Sequence, residues 1–403
     1  MAMLLSFKIA LLLPSTTFDS TKYRLQTRMD LGQLLVIHEV LSSDILVMIF
    51  EEHAKSEWRA PIIDGRVCRI WRQIVLNAPR AWSYLEIRHD RRPSTVELRS
   101  WLQRSGAAPL HIRAARDFMM HEFFDLLSTH HTRIASLRMS FGSHSFFEGR
   151  DFPRLQLLAI ESWNSAHSLV STVPWGLMPD LRSLHLGHTN FSVVPSNALA
   201  SLKVLVLHDG AFTSFPRQFR SLTTLMLVNI PLDAAISGNV DFPALTYLSL
   251  YGVLGLKSLI NAPYLATYHE GGAIVRESFS APVPSLVEYG VYDPESGYSD
   301  PAVWHIIFPN ILKVSIRAFS SVVIHFLNPL STQPDLLPAL QVVCASSLAG
   351  SAFEKESSET MESLVRVRNE ACHQHVELCF DASQIPLFFA RVSHREVTWS
   401  VVF

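Results

Sequence analysis

Cysteine is scarce: Cys68, Cys344, Cys372 and Cys379 are the four in a chain of 403 residues. That is too sparse for a disulfide framework, so a reducing compartment, cytoplasmic or nuclear, is expected. An excess of charge of one sign is missing as well. Thirty-four basic residues stand against 36 acidic ones, so no strong field draws the chain to nucleic acid or to an anionic membrane. No apolar run reaches the roughly 18 residues that cross a bilayer. What is plentiful is apolar surface. Hydrophobic residues make up 48% and charged ones 17%, which excludes a disordered chain. The length suits two or three ordinary domains, or one elongated repeat array.

Catalytic signatures are missing too. His-Glu pairs occur at His38, His121 and His269, and none extends to H-E-x-x-H. There is no G-x-S-x-G elbow, no phosphate-binding G-x-x-x-x-G-K and no dinucleotide G-x-G-x-x-G. "ACHQHVELC" gathers Cys372, His373, His375 and Cys379, yet its spacing fits no zinc pattern, and it reads as a strand with surface histidines. Neither a catalytic site nor a metal or cofactor is expected. The start, "MLLSFKIALLLPSTTF", is similar to a signal-peptide core, but Lys8 interrupts its apolar run and no basic residue precedes it. Residues 1–30 are therefore expected to be a disordered segment or a mis-assigned start ahead of Met29. A secretion signal and a weak anchor are the alternatives, and the sequon Asn190-Phe191-Ser192 would matter only for a secreted chain.

A six-residue phrase of the form L-x-x-L-x-L recurs along the larger part. It reads "LQLLAI" from Leu155, "LRSLHL" from Leu181, "LKVLVL" from Leu202, "LTTLML" from Leu222 and "LTYLSL" from Leu245. "LVEYGV" from Leu286 and "ILKVSI" from Ile311 continue it, and weaker copies begin at Ile134, Leu265 and Leu340. Successive first positions lie 20 to 29 residues apart, the period of leucine-rich repeats. Each phrase predicts a short strand whose alternate residues point inward. One such unit cannot bury its leucines alone, but stacked units can, which predicts an α/β horseshoe-shaped solenoid. The regular asparagine after the strand is missing, so the repeat is an irregular one. A proline stands just before several phrases ("DFPRL", "DFPAL", "IFPNI", "LPAL"), where it fixes the lead-in turn without costing a ladder hydrogen bond. The outward strand positions would line a concave binding face. Those residues are Arg182, His185, Lys203, Val206, Thr223, Met226, Thr246 and Ser249, a mixed and partly apolar set that suits a protein target.

Two helical segments precede the repeats. In "VLSSDILVMIFEEH", Ser43 can cap a helix starting at Asp44, and Ile45, Leu46, Met48, Ile49 and Phe50 leave almost no polar face before Glu51. In "VCRIWRQIVLNAPRAW", Val67, Ile70, Trp71, Ile74 and Val75 form one apolar stripe. Asn77 and Pro79 end that helix, and Trp82 adds an aromatic anchor beyond it. Cys68 is expected as a small core residue. So much apolar surface on so small a unit points to a permanent partner.

These two segments resemble the F-box, with its L-P-x-E-I-L opening and V-C-R-x-W-R close. "LRSWLQRSGAAPLHI", Leu98 to Ile112, is similar to the continuation seen in fungal F-box proteins with leucine-rich repeats. One departure stands in the opening, where Ser42 replaces the proline and Asp44 fills the acidic position. The resemblance implies an F-box module over residues 31–92, then a linker helix and leucine-rich-repeat solenoid over residues 93–395. It implies docking on the Skp-type adaptor of a cullin–RING ubiquitin ligase through Leu41, Ile45, Ile49, Phe50, Val67, Cys68 and Trp71. The chain would then be a non-catalytic substrate-recognition subunit. A repeat scaffold whose front module only caps the array is the alternative.

Overall fold

The computed structural model describes residues 41–87, 93–114, 121–139, 144–161 and 173–188, and, with gaps, 191–368 and 377–379. Segment 1–30, Asn190 and Ser192 of the sequon, and Cys372, His373 and His375 lie outside the described residues.

The chain begins with three helices: α1 (Ser43–Ser56), α2 (Ala60–Asp64) and α3 (Arg69–Leu76). Helix α1 starts one residue earlier than expected. Ser42, extended at φ −63° and ψ 157°, is the cap, and its Oγ accepts from the Ile45 amide at 3.4 Å. Asp44 then lies in the first turn, where its charge suits the positive end of the helix dipole. Leu46, Phe50 and Ala54, four apart, form the buried stripe of α1. Asp64 of α2 is buried and accepts from His53 Nδ1 at 3.1 Å, which ties α2 to α1 and holds His53 above the usual imidazole range. Helix α3 departs further from expectation. Cys68 is extended (φ −157°, ψ 176°) and stands at the cap, with its Sγ accepting from the Trp71 amide at 3.4 Å. Cys68 is therefore a half-buried capping group rather than a core residue, and Val67 precedes the helix instead of lying in its stripe.

A 3-10 turn, Pro79–Trp82, leads into β1 (Tyr84–Ile87). Trp82 is buried, and its Nε1 donates to the Val75 carbonyl at 2.8 Å. That carbonyl belongs to the last turn of α3, where in-helix partners run out. Helix α4 (Thr95–Arg104) carries a capping box, with Glu97 N donating to Ser94 Oγ at 3.2 Å and Ser94 N to Glu97 Oε2 at 2.7 Å. Trp101 of α4 meets Trp82 edge-on at 4.7 Å and Trp58 at 5.1 Å.

After α4 come β2 (Leu110–Ala114), α5 (His121–Ser128), β3 (Ile134–Met139), α6 (His144–Phe147), β4 (Leu157–Glu161), β5 (Ser183–Gly187), α7 (Ser196–Ala200), β6 (Val204–His208) and β7 (Thr224–Val228). Then follow β8 (Val240–Asp241), β9 (Tyr247–Tyr251), β10 (Ile260–Asn261), β11 (Thr267–Ala273), β12 (Glu288–Ser296) and β13 (Lys313–Ala318). Helix α8 (Ser320–Thr332), β14 (Val342–Ser347) and β15 (Glu377–Cys379) complete the described elements. Strands β8 and β10 pair with each other, and the other thirteen form one sheet in chain order, every neighbour parallel. The protein is thus α/β with a large parallel sheet.

The recurring phrases set this order. Leu158, Leu184, Leu205, Leu225 and Leu248 stand in register on β4, β5, β6, β7 and β9, all fully buried. Before several strands the phrase's first residue donates back three positions, as in Leu245 N to Phe242 O at 3.2 Å and Leu265 N to Ala262 O at 3.2 Å. Pro243 and Pro263 occupy the second position of those turns, where a fixed φ is already correct. One apolar cluster runs from Leu46 through Trp58, Trp82 and Trp101 to Leu364. It contains residues from both sides of the expected boundary at residues 92 and 93, and β1 belongs to the sheet.

Candidate functional site

The residues expected to bind fall on two surfaces. The first belongs to the front helices. Ile45 (45%) and Met48 (69%) of α1 are exposed, as are Ile63 of α2, Val67, and Ile70 and Leu76 of α3. Among the described residues these are six of the eleven exposed large hydrophobics, so apolar exposure concentrates in this small unit. The expected adaptor contacts divide. Ile45 and Val67 are open, while Leu41, Ile49 and Trp71 are half-covered and pack against the core. Phe50 is a correction: it is completely buried, with its ring 5.0 Å from that of Trp71, and can touch no partner. Met48, Ile63, Ile70 and Leu76 were not among the expected contacts. Helical spacing from Ile45 and Val67 reaches Met48 and Ile70, but spacing alone does not say which side of a helix the core takes.

The second surface is the sheet face opposite the leucines. Of the expected target contacts, Arg182, Lys203 and Thr246 are exposed and Thr223 half-exposed, but all four lie outside the paired strands, at the residue just before the register begins. His185, Val206, Met226 and Ser249 are corrections. They do stand in one register row across β5, β6, β7 and β9, but all are buried. Strands about 4.8 Å apart bring in-register neighbours into mutual contact, and rows above and below close over the middle one. Burial, with the Arg138 charge behind it, drives His185 down to about 3. Its Nε2 lies 3.0 Å from Ser183 Oγ.

A polar chain further along the face escaped the sequence reading. Tyr247 OH lies 2.9 Å from His269 Nδ1, His269 Nε2 lies 3.7 Å from Glu288 Oε1, and Lys313 Nζ reaches that oxygen at 2.9 Å. Burial pushes the Glu288 carboxyl up, but the His269 and Lys313 groups outweigh it and hold it at about 2. Burial also pushes the Tyr247 phenol up. No single phrase reveals this chain, because its members come from four different repeats and meet only through register. On the core side Glu270 accepts from Lys257 Nζ at 2.8 Å, from Tyr268 OH at 2.6 Å and from Tyr289 OH. These charges are satisfied internally.

No protein-family model matches the chain, and no curated protein does either. No helix among the described residues is long and apolar enough to cross a membrane.

Proposed function

We propose that the chain is a two-ended binding protein: an F-box-type front module that docks on a Skp-type adaptor, followed by a leucine-rich-repeat solenoid that receives a protein target. The observation that carries this reading is the exposed apolar side chains of the front unit: Ile45, Met48, Ile63, Ile70 and Leu76 on its three helices, and Val67 in the turn between the second and third. A unit this small that leaves so much apolar surface in water gains by a standing partner. The sheet supports the solenoid half of the reading, since its thirteen strands lie side by side in chain order. Such a protein acts by tethering, raising the effective concentration of a target near the ligase without chemistry of its own.

The continuous core between α3, Trp82 and α4 favours a second reading, a scaffold in which the helices cap the sheet. Co-purification of the full chain with a Skp-type adaptor separates the two. The docking reading expects a stoichiometric complex that Val67→Asp or Ile45→Asp weakens by at least tenfold while circular dichroism stays unchanged. A folded chain that binds no adaptor, or variants that bind as well as the wild type, would leave the scaffold.

A further inference from the structure

At the C-terminal ends of β5 and β6 three side chains converge. His188 Nε2 lies 3.8 Å from Asp209 Oδ2, and His208 Nδ1 lies 3.3 Å from the same oxygen. One donor atom from each residue falls within 4.8 Å of the other two. From this convergence we propose a divalent transition-metal site, suited to Zn²⁺, made of His188, His208 and Asp209 with a fourth coordination position left for an outside donor.

Zinc bonds of 2.0–2.2 Å at the tetrahedral angle set donor atoms roughly 3.3–3.6 Å apart. The two measured separations already bracket that range. Two imidazoles and one carboxylate are a donor set that zinc takes when an exchangeable fourth ligand completes the shell. The surroundings also orient the donors. Asn229 Nδ2 donates to Asp209 Oδ1 at 3.1 Å, leaving Oδ2 turned to the histidines. The two imidazoles stand edge to face, 5.3 Å apart at 81°. Gly187 makes room for one of them, since a Cβ there would collide with the His208 ring.

Backbone demand alone does not account for these residues. His188, Asp209 and Asn229 all have left-handed φ, at 51°, 50° and 50°, and Gly252 and Gly272 follow at 62° and 70°. Asn or Gly satisfies that conformation at least as well as His or Asp. Nor does it ask for an imidazole at 208 with a glycine beside it on β5. The proposal does not depend on the docking reading above.

The test is titration of the full chain with Co²⁺, followed by Zn²⁺ competition. One equivalent of Co²⁺ should give the intense visible bands of a tetrahedral site, and Zn²⁺ should abolish them. His188→Asn and Asp209→Asn keep a residue that accepts left-handed φ, and each should weaken binding by at least tenfold with the circular dichroism spectrum preserved. A His373→Ala/His375→Ala control should bind as the wild type does. The site is overturned if the wild type binds no stoichiometric Co²⁺. It is equally overturned if the two site variants bind normally, or if only the control loses the metal.

Discussion

Glu288 shows how one side chain on the sheet links charge to stability. Its carboxyl titrates at about 2 in the folded chain against 4.5 in the ordinary case. A depressed carboxylate contributes fully above the unfolded value, and its contribution fades as pH falls from 4.5 toward 2. With the side chain 25% exposed, screening reduces the nominal shift to roughly 1–2 kcal/mol. Glu288→Gln should therefore destabilise the chain by that amount at pH 7, and the gap from wild type should close by pH 2–3. Urea unfolding at both pH values measures it. A gap that does not change with pH would mean that His269 and Lys313 do not hold the carboxylate.

Strand ends carry the next lesson. The residue after β5, β6, β7 and β9 is His188, Asp209, Asn229 and Gly252, and each donates its amide to a carbonyl at or near the end of the next strand in the sheet, as in Asn229 N to Tyr251 O at 2.7 Å. These corners turn the chain out of the sheet with left-handed φ. Asn229→Ala loses both that tolerance and the bond to Asp209, and should cost about 1–2 kcal/mol. Asn229→Gly keeps the backbone and should cost less, so equal losses in a denaturant series would contradict the account. The strands themselves were legible because the phrase repeats with a period of two inside a period near twenty. The corners were legible in principle, as His, Asp, Asn, Gly, Gly at one phrase position, but the asparagine of regular leucine-rich repeats stands one residue later. The start of α3 was not legible. "VCRIWR" has helical spacing throughout, and only the extended backbone at Cys68 excludes Val67. The buried middle row was also hidden, because alternation assigns a side chain to a face without telling how crowded that face is.

At the scale of the whole molecule, the front helices and the sheet share one core through three tryptophans, Trp58, Trp82 and Trp101. Trp82 contributes twice, by its ring and by its bond to the Val75 carbonyl. The wild type should therefore lose protection of the front helices and of β1–β2 together. Trp82→Ala, at a cost of roughly 3–5 kcal/mol, should let the helices open while the later strands stay closed. Hydrogen exchange with peptide resolution reads both, and separate opening in the wild type would break the link between joint and cooperativity. Because every strand of the thirteen adds beside the one made just before it, a chain leaving the ribosome always meets a finished template. It closes loops of some twenty residues and never waits for a distant partner. Assembly can thus keep pace with synthesis, and the newest edge is the only unpaired one that growth itself creates.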